Sequence, residues 1–249
     1  RLVEVFVNAD RDPTALDFET DYRGTYVLLE KIKIGDDRVD IVDPDSTATL
    51  DDPEITGGYI WKKDKDGAND RNFRTSRRQL LKMVEPGGQP RRAEPGPQYV
   101  TDTQVEWLTG YINEFEEALY GESFADPRDG YAKYIDVASW IDTWLMVEMT
   151  KNIDGFRLST YYHKDLGGKI KQGPAWDYNL SLVNGNYLKG SYPEGWYGSL
   201  ISQEQYPYWD RLFEDPNFSQ AVADRWQELR SDLFTTENLL GDIDSAVNL

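Results

Sequence analysis

Apolar and polar residues alternate with a period of two through the first third of the chain. Leu2-Val3-Glu4-Val5-Phe6-Val7-Asn8 predicts a strand, and so do Gly24–Ile32, Val39–Val42 and Gly57–Lys62, each short, β-branched or aromatic, and bounded by Asp, Pro or Gly. Acidic loops separate them at 10–21 and 43–52. The run GGQPRRAEPGP, residues 87–97, continues neither a helix nor a central strand, because proline lacks the donor and glycine adds backbone entropy. It divides a strand-rich portion, residues 1–86, from a mainly helical portion, residues 98–249.

From Thr101 the period changes to about 3.6. Val105, Leu108, Ile112, Phe115 and Leu119 form one stripe, opened by a capping box of Thr101 and Gln104. A second helix starts at Asp136 and turns Val137, Ile141, Trp144 and Leu145 inward. Leu158–His163 and Lys169–Gln172 then read as a hairpin around Asp165-Leu166-Gly167-Gly168. Helices return over Trp209–Phe213, Phe218–Phe234 and Thr236–Val247. The whole is an α+β chain.

Charge narrows the partners. Asp and Glu number 45 against 27 Lys and Arg, a formal net charge of -18, which argues against nucleic acid and favours cations and a basic protein acceptor. With no cysteine and one histidine, disulfides and thiolate sites are excluded and any metal is oxygen-ligated. No apolar run reaches the ~20 residues of a membrane span. Composition is compatible with an exported, secreted or cell-surface bacterial protein. The chain opens at Arg1 directly into a strand pattern, which suggests a fragment or processed product with strands upstream.

The candidate chemistry lies between Asn152 and Asn179. Asp154 follows the second helix and Asp177 follows the hairpin, with Asn152, Ser159 and Asn179 as neutral oxygen donors of the kind hard cations accept. Two carboxylates sharing a metal-bound phosphate suit phosphoryl transfer. Turn capping is the plain alternative for both. Glu148, on an apolar face four residues before Asn152, reads first as a structural hydrogen-bond acceptor. Lys62 and Lys63 are candidate phosphate-facing cations, one inward and one outward by strand alternation. No G-x-x-x-x-G-K-[ST], G-x-G-x-x-G or H-E-x-x-H motif occurs. Paired carboxylates also suit a glycosidase, and an Asp and Asn cluster suits a non-catalytic cell-surface or carbohydrate-associated module with a structural Ca²⁺.

Five ordered blocks, Val5–Asn8, Gly24–Ile32, Thr56–Ile60, Asn152-x-Asp154-Gly155 and Trp176-Asp177-Tyr178-Asn179, resemble the CotH kinase family of spore-coat-type proteins. Pro207-Tyr208-Trp209 and Arg225-Trp226 with Leu229-Arg230 fit as well. The resemblance implies a two-lobed protein-kinase-like fold that binds ATP with Mg²⁺ or Mn²⁺ and phosphorylates Ser or Thr of an exported protein. It implies Asp154 as the catalytic-loop aspartate and Asp177 as the metal-binding aspartate, 177 − 154 = 23 residues apart. Asn179 stands where many members carry a second Asp, and Ser159 stands where a kinase loop carries a metal-binding Asn. Glu30 resembles a hinge residue whose backbone meets adenine, with Lys62 as the substitute phosphate anchor.

Overall fold

The computed structural model describes residues 2–8, 16–44, 53–67, 71–87, 100–202 and 204–247. The chain forms two compact units, residues 1–32 and 33–249. In the first, β1 (Leu2–Phe6) pairs antiparallel with β2 (Tyr22–Val27), and Phe18 stacks on Tyr22 with centroids 4.3 Å apart. The strand predicted over Gly24–Ile32 ends at Val27, because the ladder stops where Val27 meets Leu2, the first residue of β1.

The second unit is built on a five-stranded antiparallel sheet in the order β4-β5-β3-β6-β7. Its members are β3 (Tyr59–Lys63), β4 (Asn72–Arg74), β5 (Leu80–Glu85), β6 (Thr160–Lys164) and β7 (Lys171–Gln172). Tyr59, Ile60 and Trp61 are buried in succession, which fits a strand covered on both faces. The strand predicted over Val39–Val42 reduces to one isolated bridge between Ile34 and Val39, since the Gly35 to Arg38 turn brings only that pair together. Strands from both sides of the predicted 87–97 boundary share this sheet; past Gly87, that boundary lies outside the described residues. Parts of both acidic loops also lie outside them.

Helix α1 (Asp102–Tyr120) begins with the capping box of Thr101 and Gln104 and buries the predicted stripe from Val105 to Leu119. Helix α2 (Val137–Thr150) begins at Asp136, whose carboxylate accepts the Ser139 N–H. These two helices, with α3 (Trp209–Phe213) and α4 (Pro216–Ser231), enclose an aromatic core. Trp140 of α2 is its centre, meeting Phe115, Tyr162, Tyr208 and Trp209 at 5.6, 5.9, 6.0 and 5.6 Å between ring centroids. Its indole N–H donates to the Ile170 carbonyl at 3.2 Å, which fastens α2 to the approach of β7. A final helix, α5 (Thr236–Val247), completes the described chain.

Burial of ionisable groups gives the fold an alkaline signature. Desolvation lowers Lys63 and Lys164 to about 8 and pushes the phenols of Tyr131, Tyr162, Tyr197 and Tyr206 well above their ordinary value. The unfolded chain therefore binds more protons at the lysines between pH ~8 and ~10.4, and the folded chain binds more at the tyrosines above pH ~10. Stability against urea is expected to rise from pH 8 towards ~10 and to fall steeply beyond it. A monotonic fall from pH 8 would contradict this balance.

Candidate functional site

Helix α2 ends because Lys151 takes a left-handed conformation (φ 48, ψ 49), its N–H returning to the carbonyls of Glu148 and Val147. Few non-glycine residues adopt that region, and here the turn behind it is buried throughout. The Asn152 N–H donates to Val147 O at 3.0 Å and the Gly155 N–H to Asn152 O at 2.9 Å. Gly155 is required by proximity: a Cβ there would stand 2.5 Å from Val147 Cγ1 and 3.0 Å from the Asn152 carbonyl oxygen. Beyond it Phe156, again left-handed at φ 65, packs between Tyr206 and Trp209.

This turn holds Asp154 at 8% exposure. Oδ1 accepts from Arg157 Nη2 at 2.8 Å and from the Tyr187 hydroxyl at 2.8 Å, while Arg157 also donates to Tyr187 at 3.0 Å. Among the described residues Oδ2 accepts no hydrogen bond. The carboxylate is thus oriented through one oxygen by a closed triangle. Asn152, 2% exposed, accepts the Asp154 N–H on its own Oδ1 at 3.3 Å and so positions Asp154 rather than a cation.

Asp177 is presented differently. The β6–β7 hairpin and Gly173 (φ +125) lead to Asp177, exposed and left-handed at φ 61, ψ 55, at the head of a short 3-10 turn over Tyr178–Leu180. Ser159, left-handed at φ 50, donates from its hydroxyl to Asp177 Oδ2 at 3.4 Å. That kink explains why β6 starts at Thr160 rather than at the predicted Leu158. A cavity of ≈ 310 Å³ beside Ser159 is lined by Asn152, Tyr161, Gln172 and Trp176 among others.

The β3–β6 ladder brings a further pair to this loop. Lys62 lies opposite Tyr161, its ammonium 5.7 Å from the ring centroid and 2.9 Å from Asp64 Oδ2. Burial opposes ionisation of Asp64, but Lys62 and the backbone N–H groups of Lys65 and Ser159 outweigh it and hold the carboxyl below its ordinary value. Burial likewise raises the Tyr161 phenol, on which the charges of Lys62, Asp64 and Asp177 all act. Lys62, Asp64, Ser159 and Asp177 therefore form one electrostatic group.

A model of the CotH kinase protein family matches residues 1–249, the whole chain. The chain belongs to the CotH kinase family. Neither the curated proteins nor the solved structures gave a match. Family membership points to a spore-coat or atypical kinase-like function. Within this CotH chain the described residues include no helix long and apolar enough to cross a membrane.

Of the residues predicted from sequence, Ser159 is joined to Asp177, and Lys62 and Asp177 act on the same Tyr161 phenol, while Asp154 lies five residues before Ser159 in the turn after α2, bonded to Arg157 and Tyr187. Asn179 is exposed in the turn headed by Asp177, its carbonyl taken by Asn184 at 2.6 Å. Glu30 follows β2 in the N-terminal unit. Glu148 accepts the N–H groups of Tyr197 and Gly198 at 2.6 and 2.7 Å, the structural role its position suggested. Sequence reasoning missed Arg157, Asp64 and Tyr187. Arg157 had a signal in its i+3 spacing from Asp154, and Asp64 in its place beside Lys62; Tyr187, 33 residues away, had none.

Because Gly155 seats the turn on Val147, Gly155→Ala should cost about 1–3 kcal/mol in urea unfolding. Gly110→Ala, in α1 with open space around the added Cβ, should instead stabilise by ~0.5–1 kcal/mol. Shifts of the same sign would contradict the packing argument.

Proposed function

We propose that this CotH chain transfers the γ-phosphate of ATP to a serine or threonine hydroxyl of an exported or surface protein. One observation carries the reading. The turn after α2 carries Asp154, buried and locked through one oxygen, and five residues on Ser159, whose hydroxyl is joined to Asp177, exposed at a hairpin exit. Phosphoryl transfer asks for little covalent chemistry from the protein and much positioning, so a fixed carboxylate and an open one linked through one loop fit its needs.

In this reading Asp154 orients the acceptor hydroxyl through Oδ2 and takes its proton as the oxygen bonds to the γ-phosphorus. The bond to the bridging oxygen breaks and ADP leaves. Arg157 and Tyr187 hold Asp154 in place and are positioning residues. Asp177 and Ser159, with Asn179 nearby in sequence, would hold Mg²⁺ or Mn²⁺. The donor set fits: such ions are bound by one or two carboxylates and keep waters and phosphate oxygens, whereas Ca²⁺ takes six to eight oxygens. Among the described residues no group of three or more His, Cys, Asp or Glu is placed to hold a metal. The bound ion supplies neutralisation of phosphate charge. Lys62, anchored by Asp64 and acting with Asp177 on the Tyr161 phenol, adds a cation.

The test is transfer of radiolabel from ATP to a generic protein acceptor. Asp154→Ala and Asp177→Ala should each lower labelling by ~10²-fold or more. Equal labelling by wild type and both variants would contradict the proposal.

A further inference from the structure

A second recess, ≈ 550 Å³, adjoins the Asp154 loop and is lined by Lys63, Arg74, Arg78 and Arg157 with Asp64 and Glu204 among others. In a chain with 45 acidic and 27 basic residues, this concentration of cations is out of keeping with the whole. Asp64 is held by Lys62 and Asp154 by Arg157. Counting those ion-pair partners with the lining gives five cations, Lys62, Lys63, Arg74, Arg78 and Arg157, and three anions, Asp64, Asp154 and Glu204, so 5 − 3 = +2 locally within a chain of -18.

The arginines are also mounted rigidly. Arg74 ends β4, and Arg78 sits in the turn before β5 in a left-handed conformation, φ 63, where an arginine is uncommon. The turn is fixed by Glu116, fully buried, which accepts from Thr75 Oγ1, Ser76 Oγ and the Arg77 N–H at 2.7, 2.8 and 2.9 Å. Tyr208 donates to the same carboxylate at 2.8 Å. That charge is therefore engaged by hydroxyls and backbone. Among the described residues no carboxylate forms an ion pair with Arg74 or Arg78, both exposed, whereas their neighbour Arg77 lies over the Tyr120 ring at 3.9 Å.

We infer that this recess binds an acidic side chain, carboxylate or phosphoserine, of the protein acceptor, close to the hydroxyl that Asp154 receives. Guanidinium forks match both oxyanions through paired N–H donors. The net charge favours a basic acceptor at long range, but the sign of the charge beside Asp154 is the opposite. Exposed charges farther away than a Debye length of ~8 Å are screened, so the local set decides recognition at contact. The acceptor role rests on the phosphotransfer reading; binding itself does not.

The experiment titrates the whole chain, without nucleotide, into fluorescein-labelled serine peptides flanked by glutamate, phosphoserine or lysine, and follows anisotropy. Either acidic peptide should bind, the lysine peptide more weakly, and Arg74→Gln/Arg78→Asn should weaken acidic binding by roughly tenfold or more. Asn is chosen at 78 because it tolerates the left-handed backbone. Affinity for Mg·ATP should be unchanged in that variant, and Arg74→Glu/Arg78→Asp should move the preference to the lysine peptide. No acidic binding, a lysine peptide bound as tightly, retained affinity in the neutral variant, or a loss that falls on ATP would each overturn the inference. Acidic binding without radiolabel transfer would leave the recess in place and overturn the kinase reading alone.

Discussion

Everything in the site hangs on how α2 stops. Had the helix run on past Thr150, residues 152–155 would continue along its axis; instead Lys151 reverses the chain and Gly155 lays it against Val147. Ile153 then becomes a fully buried knob whose surroundings are themselves glycine. A Cβ on Gly185 would come within 2.3 Å of Ile153 Cδ1, and one on Gly190 within 2.8 Å of Ile153 Cγ2. The segment between those glycines carries Tyr187 over to Asp154. Close backbone approach at three glycines is thus converted into the position of one carboxylate.

The sheet supplies the second half of the arrangement. Antiparallel pairing of β3 with β6 sets Lys62 against Tyr161 and Lys63 against Thr160, so the Lys62–Asp64 pair arrives at the start of β6, beside the Ser159 kink. The hairpin into β7 then returns Asp177 to Ser159. Cations and carboxylates at this loop are consequently drawn from distant parts of the chain, and the ladder register decides which meet. A one-residue slip of β3 would turn Lys62 to the other face and separate it from Tyr161.

Helical parts of the chain were legible because local chemistry and tertiary burial agree there. The stripe from Val105 to Leu119, the Thr101 and Gln104 capping box and the Asp136 cap all appear as expected. Asp154 and Asp177 were also visible, since helix exits and hairpin exits leave signatures in Asn, Gly and Pro. What escaped depends on contacts across sequence distance. The strand over Gly24–Ile32 has the right residues but a ladder that stops at Val27, and β4 and β5 are short strands around an arginine-rich turn whose support comes from Glu116, some 40 residues away. Glu116 itself sits among exposed glutamates in an acidic helix, and nothing in that local pattern singles it out.

A crystal of the chain grown with Mn²⁺ and a non-hydrolysable ATP analogue, with anomalous data collected at the manganese edge, tests the pairing of Asp154 with Asp177 most directly. The expected result is a manganese peak at the Asp177 carboxylate, with the terminal phosphate lying between it and Asp154. Manganese bound elsewhere, or a nucleotide whose terminal phosphate approaches neither aspartate, would contradict that pairing.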